Sequence, residues 1–200
     1  MKKAPYQAAA VFSVVGSVLL LAGCVNLGSK PPPSLLVLTA SNKLADGAAN
    51  EGAQKTALVV LTPSAPRKLD SNRLPVQIDS SSIAYLKDAV WSDRPAVLMQ
   101  QLLSETIAAK NGRFILSEAD ADGLAEEFLS GSLIEFGVDA SRSEAIVIFD
   151  AVKTLSGQPA KKQRFEARRA VNIIEAVPAS AALNGAANEV AGDIADWMKN

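Results

Sequence analysis

The apolar pattern of this 200-residue chain specifies an α/β fold: a single three-layer domain with a mixed, largely antiparallel sheet covered by helices, placed after an N-terminal leader and a short tether. Three observations carry this reading. Residues 132–171 contain two segments with apolar side chains at alternating positions flanking one that is apolar on both faces, joined by connections too short for crossover helices, which predicts an antiparallel meander. Two stretches, one from Pro95 and one from about Pro178, repeat apolar residues at steps of three and four, the helical period. Short buried runs such as Ala57–Leu61 precede the first of these helices and add further strands.

The leader comes first along the chain. Lys2 and Lys3 form a positive start, and Ala8 to Ala22 is an apolar run interrupted only by Ser13, Gly16 and Ser17. That is the pattern of a secretory signal. A membrane-spanning helix needs roughly 20 apolar residues, and this run stops earlier, at Gly23-Cys24. The ending Leu21-Ala22-Gly23-Cys24 resembles the bacterial lipobox. The resemblance implies cleavage before Cys24 and acylation of its sulfur and its new amino group. Acyl chains contribute roughly 0.8 kcal/mol per buried CH₂, and one chain anchors only marginally. Two or three on Cys24 would hold the chain on a membrane. Val25 and Asn26 follow, without the Asp that resembles an inner-membrane retention signal in enterobacterial lipoproteins, so the periplasmic face of the outer membrane is expected.

Residues 1–23 are thus read as signal peptide, 24–33 as lipidated tether and 34–200 as the folded domain. The tether CVNLGSKPPP ends in three prolines, which favour stiff polyproline II at about 3.1 Å per residue. It would keep the domain within about 30 Å of the lipid surface.

Leu35 to Thr39 reads as a strand, Ala40 to Thr56 as a flexible Ala/Gly/Asn loop, and Ala57 to Leu61 as a buried strand closed by Pro63 and Pro66. Arg73 to Ile78 alternates, and Ile83 to Leu86 is a further short strand. A helix follows through Ala109, with Ser92 or Asp93 as its cap, Pro95 in its first turn, and Asn111-Gly112 as its end. Phe114 to Leu116 is a short strand, and Glu118 to Glu127 an acidic stretch with helical character. In residues 132–140, Ile134, Phe136 and Val138 share one face while Glu135 and Asp139 share the other. Ala145 to Val152 is apolar on both faces except for Asp150, which marks a central strand. Lys162 to Val171 returns after the Gly157-Gln158-Pro159 turn, with Phe165, Ala167 and Val171 inward. The last helix carries Leu183, Ala187, Val190, Ile194 and Trp197 as a stripe that must lie on the sheet.

Composition removes whole classes of chemistry. With no histidine and only Cys24, the chain has no Cys/His zinc cluster, no imidazole-ligated haem or copper, no Ser-His-Asp triad and no internal disulfide. A net charge of −1 argues against nucleic acid. Without residues 1–23 the balance is 18 basic against 21 acidic side chains, a net of −3. No Walker loop, nucleophile elbow or S-x-x-K stretch occurs. Ser80-Ser81-Ser82 has no base in register, and Glu118, Asp120 and Asp122 lack the spacing of a calcium loop. No catalytic residue, metal or cofactor is expected.

What remains are contact surfaces. Tyr85 and Trp91 are candidates, because aromatics are enriched in binding hot spots. So is the basic cluster Lys161, Lys162 and Arg164, continued by Arg168 and Arg169, which suits an acidic partner or anionic headgroups. Asp150 needs a partner from among these cations, since a buried carboxylate is costly alone.

The lipobox, the strand at Leu35, the segment from Tyr85 through Trp91-Ser92-Asp93 to Pro95, the stretch Leu129 to Phe136 with Gly131, the strand pair around Asp150 and Gly157, and a last helix ending in Trp197 together resemble the ABC-type transport auxiliary lipoprotein family. Its members include the third component of paraquat-inducible systems. The resemblance implies an accessory lipoprotein of a lipid transport system. Its partners would be a mammalian-cell-entry-domain protein and the ABC permease and ATPase of the same system, besides the membrane reached through Cys24; a homo-oligomer is compatible with this. The alternative role is a lipid carrier with its own apolar pocket.

Overall fold

The computed structural model describes residues 34–199. Cys24, the lipobox residues Leu21, Ala22 and Gly23, and the tether lie outside the described residues. The domain contains β1 (Leu58–Val60), β2 (Arg73–Gln77), β3 (Ile83–Val90), α1 (Pro95–Asn111), β4 (Ile115–Leu116), α2 (Glu118–Ala121), β5 (Glu127–Asp139), β6 (Glu144–Leu155), β7 (Lys161–Ala170) and α3 (Ala176–Trp197).

The 13-residue β5 is the spine of the seven-stranded sheet. One edge pairs along its whole length with antiparallel β6, from Glu127↔Leu155 to Asp139↔Glu144, and β7 adds antiparallel outside β6. Its other edge is shared. Parallel β1 occupies the start at Leu58↔Glu127 and parallel β2 the end at Gln77↔Asp139, with a single Ser64↔Ser132 bridge between them. β4 lies parallel outside β1, and β3 antiparallel outside β2. The long ladders are antiparallel and the short ones parallel, so the expected mixed sheet and its meander are both present.

One face of this sheet carries the main core. α1 buries Leu98, Met99, Leu102, Leu103 and Ile107, and α3 buries Leu183, Val190 and Ile194 together with five alanines, whose small side chains let it pack close to the sheet. Leu133, Phe136, Val147 and Phe149 meet them from below, and Trp91 stands edge-on to Phe136 with ring centroids 5.4 Å apart. Trp197 packs in the same way on Phe165 at 5.7 Å, as its place in the apolar stripe suggests. On the opposite face, the third layer reduces to α2, which with Ala125 covers Val59 at one end of the sheet. The remainder of that face has no helix over it.

The local differences from sequence have physical causes. β5 is bulged between Leu133 and Glu135, so the extra residue shifts the alternation. Leu133 therefore fills the core and Ile134 does not, while Phe136 and Val138 stay inside. Neither Ser92 nor Asp93 caps α1: its N-cap is Arg94, whose own N–H bonds to the Asp93 carboxylate, and Pro95 removes one donor from the first turn. The acidic stretch after Leu116 makes only one helical turn, with Ser117 Oγ accepting from the Asp120 N–H. β3 continues to Val90, and Leu35 to Thr39 contributes one parallel bridge, Leu36↔Trp91, rather than a strand.

The segment expected as a flexible loop begins as a strap over the helices. The Thr39 N–H bonds to Asn184 Oδ1 at 2.8 Å, the Ser41 N–H to Asn188 Oδ1 at 2.6 Å, and Asn188 Nδ2 donates to the Thr39 carbonyl at 2.9 Å. The Leu44 N–H then reaches Glu105 on α1 at 2.8 Å. An i, i+4 pair of asparagines on α3 thereby reads the backbone of an extended chain.

The ladders define two ends. The connections 78–82, 140–143 and 171–175 lie together, since Gln77 pairs with both Ile83 and Asp139 and Glu144 pairs with Ala170. The turn 156–160, the starts of β1 and β5 and the C-termini of α1 and α3 lie at the other. There Lys110 donates to the Gly192 carbonyl, Asn111 to the Ala195 carbonyl and Lys153 to the Met198 carbonyl, satisfying the last turns of α3 and complementing its dipole.

Candidate functional site

The helix-free face of the β5–β6–β7 ribbon carries the groups suited to recognition. Alternation along β6 sends Ala145, Val147, Phe149 and Ala151 to the core and Ile146, Ile148, Asp150 and Val152 to this face. Cross-strand register places Arg164 directly opposite Asp150 and Lys162 opposite Val152. Arg164 grips the carboxylate with both ends of its fork, Nε to Oδ1 at 2.6 Å and Nη2 to Oδ2 at 2.9 Å, and Lys162 Nζ stands 3.3 Å from Oδ2. Asp150 is buried, and the Arg164 hydrogen bonds, aided by Lys162, hold its carboxyl at about 2, against the desolvation that pushes the other way.

Further paired charges continue across the same surface. Arg168 donates to Glu166 at 2.6 Å and lies 3.4 Å from Glu144, the Glu166 hydrogen bond being the main cause of its raised pKa. Lys68 contacts both oxygens of Glu135, at 2.5 and 2.6 Å, and Ser64 and Ser132 hydroxyls are 2.7 Å apart. A depression of about 620 Å³, open to solvent, borders this array, and its walls include Ile78, Asp79, Glu135, Asp139, Arg142 and Arg168. Such a surface can engage a charged protein face. Its lining mixes charged with aliphatic side chains.

Of the residues singled out from sequence, Lys162 and Arg164 come together at Asp150. Lys161 is exposed and, by alternation, turns to the other side of the ribbon, opposite Lys153. Tyr85 is half-buried on β3; its hydroxyl donates to the Lys68 carbonyl at 3.2 Å and the Arg73 guanidinium lies over its ring at 5.1 Å. Trp91 corrects the expectation of an aromatic contact surface: it has no exposure at all and belongs to the core against Phe136. The aromatic and basic groups are therefore not one site. Ser81 is held in its turn by Asp79, whose carboxyl pKa these bonds lower. Among the described residues no group of three potential ligands could hold a metal ion, and no helix is long and apolar enough to cross a membrane.

Lys68 and Glu135 had escaped sequence reading. The signal present was the outward position of Glu135; its partner came from a 3₁₀ turn, Arg67–Leu69, that has no periodicity to read.

Comparison with solved structures places the fold in a known group. A Xanthomonas campestris protein of the family designated DUF330 is similar over 82% of this chain and 94% of its own, with 18% identity and a TM-score of 0.67. A protein described only as uncharacterized matches over 82% and 97%, with 12% identity and a TM-score of 0.66. The PelC dodecamer from Paraburkholderia phytofirmans is more distant, at 10% identity and a TM-score of 0.40 over 72% of this chain and 93% of its own, and nothing is carried over from it. No curated protein matches the sequence. The sequence model of a family of transport auxiliary components, rather than of enzymes, matches residues 38–195. The chain belongs to the ABC-type transport auxiliary lipoprotein component family.

Proposed function

We propose that the chain is a lipoprotein, acylated at Cys24 after loss of residues 1–23, that stands on the periplasmic face of the outer membrane and docks a lipid transport system by protein contact. The ABC permease and ATPase and a mammalian-cell-entry protein of the same system supply the energy and the conduit. Residues 34–200 supply the dock and residues 24–33 the tether.

The observation that carries this reading is the open sheet face. Its charges are fixed by paired hydrogen bonds around Asp150, Glu135 and Glu166, beside half-buried Ile146, Ile148 and Val152. Fixed charge around an aliphatic patch is the composition of a protein interface, where polar groups set specificity and apolar area adds affinity. Lys161 and Lys162 lie at the end of β7 remote from the 140–143 turn, at the far end of the ribbon.

The test is native mass spectrometry of the full chain purified in mild detergent, with the anchor mass determined separately. Partner protein without stoichiometric lipid beyond the anchor is the expected result. Stoichiometric lipid held by the domain would replace docking with the carrier role, and recovery with the inner membrane on fractionation would overturn the outer-membrane placement.

A further inference from the structure

Four of the eight large apolar side chains exposed among the described residues belong to one end of the domain. Ile78 (48% exposed) and Ile83 (42%) flank the β2–β3 turn, Ile173 (58%) lies between β7 and α3, and Val177 (74%) is in the first turn of α3. These connections share the end defined by the Gln77↔Ile83, Gln77↔Asp139 and Glu144↔Ala170 pairs. Leu35 (54%) precedes the parallel Leu36↔Trp91 bridge, so residues 34–36 run in from the side of the start of β3. Of the nearby carboxylates, Asp79 is folded back onto Ser81 and Asp139 onto Ser141 and Arg142, while Glu175 between Ile173 and Val177 is exposed. The opposite end, at the 156–160 turn, is about 40 Å away along β6 at 3.3 Å per residue.

Exposed aliphatic groups are unfavourable in water and favourable at the boundary between headgroups and acyl chains. In sequence, Cys24 lies ten residues before Ser34, and a chain of that length reaches at most about 35 Å. We propose that this end of the domain rests in the lipid headgroup layer, with Ile78, Ile83, Ile173 and Val177 as its contacts. The inference rests on the lipid-anchor reading above and deepens it by fixing orientation. The β6–β7 turn with Lys161 and Lys162 then points away from the membrane, toward the periplasmic partner, and the basic cluster serves protein contact rather than headgroups.

The test uses the full, lipidated chain reconstituted in phosphatidylethanolamine/phosphatidylglycerol vesicles. Acylation leaves no native thiol, so an environment-sensitive dye goes on Asn172→Cys or, at the far end, on Gln158→Cys. Headgroup-spin-labelled lipid should quench the dye at 172 and leave that at 158 unchanged. Adding Ile78→Ser and Val177→Ser, both exposed and so harmless to folding, should abolish the quenching at 172 while the protein still floats with the vesicles. Equal quenching at the two positions in protein that floats would overturn the orientation and leave the anchor standing. Protein that carries no acyl mass on Cys24 and does not float would overturn the anchor, and the orientation with it.

Discussion

The two faces of β6 differ by one residue in sequence and entirely in what they do. Val147 and Phe149 are sealed under α1 and α3, whereas Ile148 and Asp150, their chain neighbours, belong to the face without helices. The covered face holds the fold together through apolar burial. The open face must satisfy its charges within itself, and the Asp150–Arg164–Lys162 cluster does so. In the proposed reading, stability and recognition are thus separated across the thickness of one sheet, so surface changes would alter contact without altering the fold.

The sharpest probe of that separation is truncation on each side. Trp91→Ala or Phe136→Ala should cost about 3–5 kcal/mol in denaturant unfolding, a large part of a typical domain's 5–15 kcal/mol. Ile148→Ala, half-buried on the open face, should cost about 1 kcal/mol. Equal costs would erase the distinction. Next in size is Gly131→Ala in β5. Its Cβ would fall 2.2 Å from the Asp150 carbonyl oxygen and 2.7 Å from the Phe149 ring, so a loss of about 1–3 kcal/mol is expected in the same measurement.

Arg164→Ala should cost less, about 1–2 kcal/mol, because Lys162 still faces Asp150 and the replaced guanidinium is more than half exposed. The carboxyl of Asp150 is depressed from 3.8 to about 2, so folding favours its ionised form. The pair's contribution is complete above about pH 4 and is lost as pH falls through about 2. Asp150→Asn should flatten the stability profile across that window and leave its slope above pH 5 unchanged. The smallest effect on stability, within about 0.5 kcal/mol, is expected for Lys161→Gln with Lys162→Gln, both exposed.

The meander, both long helices and the pairing of Asp150 with β7 cations were readable because each rests on local periodicity or on a charge with no alternative. The open face was not, since whether a third layer covers a sheet depends on how long Glu118–Ala121 stays helical after Leu116, and one capped turn is below the resolution of periodicity. The β5 bulge hid for the same reason: Ile134, Phe136 and Val138 alternate perfectly, and only the facing strand reveals that Leu133 is the buried residue. Trp91 illustrates a different limit. In sequence an aromatic on this segment suits a contact surface as well as packing, but the chain there passes between Leu36 and Phe136, and the Trp91 ring closes the core.

The proposed docking by the open face comes down to the affinity of the full chain for the purified mammalian-cell-entry protein proposed as its partner, compared between the wild type and the Lys162→Gln variant. Salt-sensitive binding that weakens about tenfold in the variant, a difference of about 1.4 kcal/mol, with unchanged thermal unfolding, is the expected result. Equal affinity for the two proteins would show that the contact lies elsewhere and that the paired charges serve the fold alone.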